Sequence, residues 1–281
     1  MVKAAALLRH NPALLAGIVY ANAVSRIAGT PKHPVQKEIN GVKFEFDFSL
    51  GPQIRQMYFN AYEPLTLAAM KQFLRKGDTF LDVGANMGFI ASIAAGIVGK
   101  QGQVHCFEPS PADFERLKKL PLLNPDYKIF INPCAAGEKK EIVNMDISNL
   151  SWVGWNTLVP NFMRRNACKE SVPVEVIRLD DYIRKKRGEM GRIGVIKIDT
   201  EGFEFFVLKG LEKFFEEERE RPVILCEITP RANGLMGVDM ADVAGTMDQY
   251  GYHAYSYVNW KTRVALTDLQ VQTDVIFLAR A

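Results

Sequence analysis

The sequence of 281 residues lacks the features of several common protein classes. It has only four cysteines, none with the spacing of a metal-binding motif or the density of a secreted disulfide framework. It has no internal repeat or low-complexity tract, and 48% of its residues are hydrophobic against 24% charged. We therefore expect a globular protein with free thiols, from a reducing compartment.

A strong excess of one charge is also missing. The sequence has 35 lysines and arginines against 32 acidic residues, a formal net charge of +3. Its one dense basic run, 184–187, suits the solvated end of a helix. Because nucleic-acid-binding domains usually carry clustered cations in larger excess, we expect no specific nucleic-acid partner.

No apolar run at the N-terminus is long enough for a transmembrane helix. The run 13–24 is apolar, whereas a membrane span needs about 20 such residues. We expect a helix packed on the domain or on a partner, with peripheral membrane contact or a cleaved signal peptide as alternatives. The expected location is the cytoplasm, with membrane association as an alternative, and the sequence leaves the oligomeric state open.

From residue 79 onward, short apolar strands alternate with helical segments. The strands are predicted at 79–83, 103–107, 128–132, 174–177, 195–198, 223–226, 253–258 and 274–278. This alternation predicts an α/β fold, with a mostly parallel sheet and helices on both of its faces. Upstream, the residues 42–48 alternate between apolar and polar after Asn40-Gly41, which predicts a β-hairpin.

A glycine-containing turn follows the first strand of this pattern, and we call it the glycine loop (84–88). Ligands of such sheets bind beyond the carboxyl ends of the strands, and glycine lets the backbone come close to them. The G-x-G-x-x-G pattern of dinucleotide enzymes is missing, because Asn86 occupies the second glycine position. With Asp82 before the loop, the pattern favours a ligand that bears an ammonium group, such as S-adenosylmethionine. Glu108, after the next strand, is a candidate acceptor for ribose hydroxyls.

Five motifs resemble the FkbM-type methyltransferase family over about residues 55–230. They are DVGANMG, FEPSP, IRLDDYI, IKIDTEGFEFFVLKGL and VILCEI. The resemblance implies a class I methyltransferase (Rossmann-like) fold with seven sheet strands, the last antiparallel. It also implies S-adenosylmethionine as cofactor and methyl transfer to a hydroxyl of a sugar, glycolipid or other natural product.

By position, the resemblance assigns roles to individual residues. The cofactor-binding residues it implies are Asp82, Gly84, Asn86, Gly88 and Glu108. The family's central motif, near the methyl-transfer cleft, corresponds to Lys197, Asp199, Glu201 and Gly202, and Glu227 ends the following strand.

An alcohol acceptor needs its proton removed during methyl transfer, and four residues are candidates for this base. They are Asp199, Glu201, Glu227 and His253. We favour the Asp199 and Glu201 cluster, oriented by Lys197, because a lysine inside an apolar strand is costly unless it is paired. Asp199 and Glu227 would end neighbouring strands and could hold Mg²⁺, but two carboxylates are weak evidence; we expect no metal, with Mg²⁺ as the alternative.

The sequence pattern divides the chain into an N-terminal extension and one domain with an insert. Residues 1–54 are predicted to form a helical and hairpin extension, and 55–281 the methyltransferase domain, with 141–172 as an acceptor-side insert. In the insert, Trp152 and Trp155 either stack on a sugar or form a small core of their own. Arg164 and Arg165 suit a solvated face, or an anionic acceptor. The functional alternatives are a protein or RNA methyltransferase and a non-catalytic binding protein.

Overall fold

The computed structural model describes residues 12–29, 31–149, 155–218 and 221–279. In chain order, its strands are β1 (Val35–Ile39), β2 (Val42–Phe46), β3 (Thr79–Val83), β4 (Gln103–Phe107), β5 (Lys128–Asn132), β6 (Ala135–Ala136), β7 (Glu141–Ser148), β8 (Cys168–Ile177), β9 (Ile193–Ile198), β10 (Val223–Ile228), β11 (Tyr252–Ser256) and β12 (Thr273–Ala279). Its α-helices are α1 (Pro12–Ile27), α2 (Pro52–Tyr58), α3 (Pro64–Phe73), α4 (Phe89–Val98), α5 (Pro111–Leu117), α6 (Lys119–Leu123), α7 (Leu179–Lys186), α8 (Glu204–Lys209), α9 (Glu212–Glu217), α10 (Pro230–Leu235) and α11 (Met240–Gln249).

Seven strands form the central sheet, in the order β11-β12-β10-β9-β3-β4-β5. The pairs among β10, β9, β3, β4 and β5 are parallel, whereas β12 runs antiparallel to both of its neighbours. The predicted seven-stranded sheet with an antiparallel last strand is confirmed. The chain leaves β3 in one direction towards β5 and later returns to β9 on its other side, so a topological switch point lies between β3 and β9.

Helices cover both faces of this sheet, as predicted. One core cluster joins the sheet to α3, α4, α5 and α6, and the other joins it to α7, α8, α9 and α11. Successive residues of β3 serve the two faces in turn, because strand side chains alternate: Phe80 packs in the first cluster and Leu81 in the second. Proline in the first turn of α2, α3 and α5 helps to set where these helices begin.

The N-terminal hairpin belongs to the same core as the sheet. β1 and β2 pair around Asn40 and Gly41, whose φ angles of 52° and 83° suit a tight hairpin turn, so the predicted hairpin is confirmed. Phe44 and Phe46 pack edge-on against Phe89 of α4. Among the described residues, no helix is both long and apolar enough to cross a membrane.

The segment between β5 and α7 forms a second, three-stranded sheet, in the order β6-β8-β7. β7 pairs antiparallel with β8 from Glu141↔Val176 to Ser148↔Cys168. The strand predicted at 174–177 is therefore the end of β8 and lies outside the central sheet. The pattern predicted no structure in 141–172 because this sheet is thin and half-exposed; Ile142, for example, is 75% exposed.

The segment between β9 and β10 forms two short helices, α8 and α9, rather than one long helix. Gly210 stands between them, and a Cβ atom at this position would lie 2.1 Å from the carbonyl oxygen of Gly137. The chain therefore bends where its backbone packs directly against the residue that follows β6. The apolar side chains of both helices still face the same core, which is why their pattern resembles one helix.

Candidate functional site

The carboxyl ends of β3, β4, β9 and β10 border a cleft with a volume of about 240 Å³. Its walls come from the loops after these strands, from the chain around α2 and the start of α3, and from the insert. Of the residues singled out in the sequence, it brings together Gly84, Asn86, Glu108, Trp155, Lys197, Asp199, Glu201 and Glu227.

The glycine loop forms the floor of the cleft. Gly84 has a φ of 79°, and a Cβ atom there would lie 1.8 Å from the carbonyl oxygen of Asp199. The backbone N–H of Gly84 donates to the Phe107 carbonyl, and the N–H of Asp199 donates to the Val83 carbonyl. The loop is therefore tied to the ends of both neighbouring strands, and only glycine fits at its first position.

Glu108 connects the glycine loop to the end of β4. Its Oε2 accepts from the backbone N–H of Asn86 at 2.7 Å, and its Oε1 accepts from that of Ser110 at 2.8 Å. Burial, together with the charge of Asp113, raises the pKa of this carboxyl to about 8. The group is held rigidly at the cleft wall, where it can accept further hydrogen bonds.

Lys197 lies inside β9 and is only 5% exposed. Its Nζ is 3.0 Å from Asp199 Oδ2 and 3.7 Å from Asp82 Oδ1. Burial alone would lower the pKa of Lys197, but the carboxylates of Asp199, Asp82 and Glu63 outweigh burial and raise it. The lysine is thus a fixed cation, and it orients the carboxylate of Asp199 at the cleft.

Glu201 and Glu227 complete an acidic group around Asp199. Carboxylate oxygens of the three residues lie within 4.8 Å of one another, a spacing that could hold a metal ion. Burial and the neighbouring charge of Asp199 raise the pKa of Glu201 to about 10 and that of Glu227 to about 9. Both effects favour the protonated forms of these two carboxyls in the folded protein.

The loop that carries Glu201 is built around Glu204, which is fully buried. Glu204 Oε1 accepts from the backbone N–H and the hydroxyl of Thr200, both at 3.0 Å, and from the N–H of Gly202 at 2.9 Å. These bonds enclose Glu201, whose backbone is left-handed with a φ of 52°. The buried carboxylate therefore fixes the turn from which Glu201 reaches the cleft.

Residues 155–159 of the insert cross the cleft and connect its two ends. Asn156 Nδ2 donates to Asp113 Oδ2 at 3.0 Å, beside Glu108. Thr157 Oγ1 donates to the carbonyl of Glu201 at 2.7 Å. Trp155 lines the cleft and is 50% exposed, as an indole available for stacking would be.

Three predicted site residues do not line the cleft. Asp82 is fully buried beneath it and faces Lys197. Gly88, with a φ of 87°, precedes α4, where a Cβ atom would meet Leu117 at 2.6 Å, so its role is in packing. His253 lies near the amino end of the edge strand β11, opposite to the cleft side, and its Nδ1 is 2.9 Å from Asp248 Oδ1.

The other predicted residues lie outside the cleft or outside the described part of the chain. Arg164 is exposed and does not line the cleft. Trp152 and the side chain of Arg165 lie outside the described part of the chain.

Sequence reasoning missed the contribution of the N-terminal part of the chain to the cleft. Gln53, Met57, Tyr62 and Glu63 all line it. The only local signal was Pro64, which correctly marks the start of α3. A glutamate before such a proline indicates only the end of a helix. Its position in the cleft depends on packing between distant segments, which the local pattern does not record.

The strand order of the central sheet, its antiparallel β12 and the glycine loop after β3 define a class I methyltransferase fold. The family model "Methyltransferase FkbM domain" matches residues 82–254, more than half of the chain, and the chain belongs to this family. The hexuronic acid methyltransferase AglP of Haloferax volcanii is 24% identical over 183 residues, which are 65% of this chain and 70% of AglP.

Two solved structures are similar at lower identity. The methyltransferase FkbM of Methylobacillus flagellatus KT has a TM-score of 0.44 and 16% identity, over 94% of this chain and 60% of that chain. Fibrillarin of Aeropyrum pernix, in complex with natively bound S-adenosyl-L-methionine, has a TM-score of 0.43 and 13% identity, over 90% and 85%. Because both scores are below 0.5, the fold assignment rests on the strand order.

Proposed function

We propose that this protein is an S-adenosylmethionine-dependent O-methyltransferase that methylates a hydroxyl of a sugar, glycolipid or other natural product. The observation that carries the proposal is that the glycine loop, Glu108 and the Lys197–Asp199 pair open into one cleft. Membership of the FkbM family supports methyl transfer. The similarity to a hexuronic acid methyltransferase supports an acceptor related to sugars.

The residues of the cleft fit this cofactor. Glu108 offers carboxyl oxygens to a ribose diol, and the glycine loop offers backbone without an intervening side chain. When bound, S-adenosylmethionine supplies a methyl group activated on a sulfonium. The protein then has chiefly to hold an acceptor oxygen at about 3–3.5 Å from the reacting carbon and to remove its proton.

We assign proton removal to Asp199. Burial and the charge of Asp199 raise the pKa of Glu201 and that of Glu227, which favours their protonated forms and makes them poor proton acceptors. Asp199 lines the same cleft and is oriented by the ion pair with Lys197 at 3.0 Å. The protonated carboxyls of Glu201 and Glu227 can donate hydrogen bonds to acceptor oxygens and so orient the substrate. These three carboxyls are also close enough to hold a cation, so a metal-dependent reaction is the alternative to this mechanism.

Calorimetric titration with S-adenosylhomocysteine tests the proposal at its foundation. We expect one-to-one binding, weakened about 10- to 100-fold in Glu108→Ala, because ribose hydroxyls lose a buried acceptor. Glu115→Ala, which removes an exposed carboxylate from the nearby helix α5, should bind like the wild type. Folded wild-type protein that does not bind this ligand would contradict the proposed function.

A further inference from the structure

Glu63 is a cleft residue that the family match does not include. The match covers 82–254, whereas Glu63 comes from the chain just before α3. Its side chain lines the cleft, close enough to Lys197 and Asp199 for their charges to act on it. The Tyr62 hydroxyl donates a hydrogen bond to its carboxylate. The N-terminal part of the chain thus places a carboxylate beside the central motif.

The backbone at Glu63 is strained. Its φ of 40° and ψ of 53° are left-handed, a conformation that costs energy in residues other than glycine. The next residue, Pro64, further disfavours helical angles at the residue before it. The side chain does not cap α3, so the strain does not serve the helix end. Such strain persists where the surroundings fix it, often at binding sites, and here it accompanies a carboxylate in the cleft.

The carboxylate that the sequence assigned to the cofactor's ammonium group is occupied elsewhere. Asp82 is fully buried, does not line the cleft and faces the cation of Lys197 at 3.7 Å. An ammonium group in the cleft needs an accessible carboxylate near the glycine loop. Gly84 lies against Asp199, and Glu63 lines a pocket together with Asp199, so Glu63 borders this end of the cleft.

We propose that Glu63, rather than Asp82, binds the ammonium group at the aminoacyl end of the cofactor; this assignment rests on the proposed function. Burial raises the pKa of Glu63 to about 7, against the opposing effect of Lys197. A second cation beside it would favour the charged carboxylate, so ammonium binding would also relieve the cost of burying it. The N-terminal segment would then complete the cofactor site, and the charge of Asp82 would serve to fix Lys197.

A pair of ligands isolates this contact without any acceptor. S-adenosylhomocysteine carries the ammonium group, whereas 5′-methylthioadenosine has the same adenosine without an aminoacyl end. In calorimetry at pH 8, Glu63→Gln should weaken the binding of S-adenosylhomocysteine about 10-fold or more. The binding of 5′-methylthioadenosine should be unchanged. Glu115→Gln, at an exposed position on α5, should leave the ratio of the two affinities as in the wild type.

The remaining outcomes separate the alternatives. An unchanged ratio in folded Glu63→Gln, or an equal loss for both ligands, would overturn the assignment. If wild-type protein binds neither ligand, the proposed function itself fails.

A pH titration of the ratio of the two affinities in the wild type needs no variant. The preference for S-adenosylhomocysteine should fall from pH 8 to pH 6 as Glu63 is protonated. The other ionisable groups acting on Glu63 include Tyr62, Lys197, Asp199, Asp274 and Tyr257. A ratio independent of pH would also overturn the assignment.

Discussion

At the scale of single residues, Asp199 differs from the other carboxyls of the cleft because it forms an ion pair with Lys197. We expect Asp199→Asn to bind S-adenosylhomocysteine about as well as the wild type, because the adenosine contacts assigned to Glu108 and the glycine loop are unchanged. Turnover with a true acceptor should fall about 10²- to 10⁴-fold, the usual contribution of a positioned base. Parallel calorimetry and methylation assays would measure the two effects.

Two controls make this prediction specific. Asp268→Asn replaces an aspartate in the turn Leu266–Asp268, outside the cleft, and should leave both measurements unchanged. Assays with and without EDTA separate a base from a metal ligand, since Asp199, Glu201 and Glu227 are close enough to share an ion. Full turnover by folded Asp199→Asn would show that Asp199 is not the base. Loss of turnover in EDTA would show that the reaction needs a metal ion.

At the scale of elements, the turn between β9 and α8 depends on a single carboxylate. Glu204→Ala would remove the acceptor of three hydrogen bonds from Thr200 and Gly202. We expect the free energy of unfolding to fall by about 1–3 kcal/mol, because buried donors would lose their partner. Urea denaturation would measure this loss.

The conservative variant tests the same turn. Glu204→Gln keeps one acceptor oxygen, so it should lose less stability and more of its turnover should remain than in Glu204→Ala. If Glu204→Ala were as stable and active as the wild type, the turn would not depend on this side chain.

The elements that the sequence predicted well are those with a local pattern. The buried strands of the central sheet are short apolar runs between turns, and their length and spacing suffice to find them. The helix α11 likewise begins at a capping box between Asp239 and Asp242. In contrast, β7 and β8 consist mostly of half-buried or exposed residues and are defined by pairing across 20 or more residues, which no local pattern records.

The cleft residues that could be predicted are likewise those with a local signal in the sequence. Glu108, Asp199 and Glu201 follow strands, so the parallel topology alone brings them to one edge of the sheet. The fate of Asp82 depends on Lys197, more than 100 residues away, and the role of Glu63 depends on how α3 packs. His253 was a candidate because of its chemistry, but its strand places it at the opposite edge. Distant pairing and packing decide these cases.

At the scale of the whole molecule, burial raises the pKa of six carboxyls that line the cleft or lie behind its walls. Their folded pKa values are about 6 for Asp82, 7 for Glu63 and Glu204, 8 for Glu108, 9 for Glu227 and 10 for Glu201. Their values in an unfolded chain are 3.8 for aspartate and 4.5 for glutamate. Between these limits the six carboxyls bind more protons in the folded protein than in the unfolded chain. They outnumber His105, whose pKa burial lowers to about 4, so we expect stability to fall as pH rises.

We therefore expect the Tm of the ligand-free protein to decrease from pH 5 to pH 9. The contribution of each raised carboxyl is complete below its unfolded pKa and is lost as pH rises through its folded pKa. Glu201→Gln should flatten this decrease, because glutamine stays neutral where Glu201 would have to ionise. Glu115→Gln, at an exposed position on α5, should keep the wild-type slope. Thermal melts of the three proteins across this range would measure the effect. A Tm that rises with pH would mean that the cleft carboxyls are already charged at neutral pH, and Glu201 and Glu227 would then be candidates for the base again.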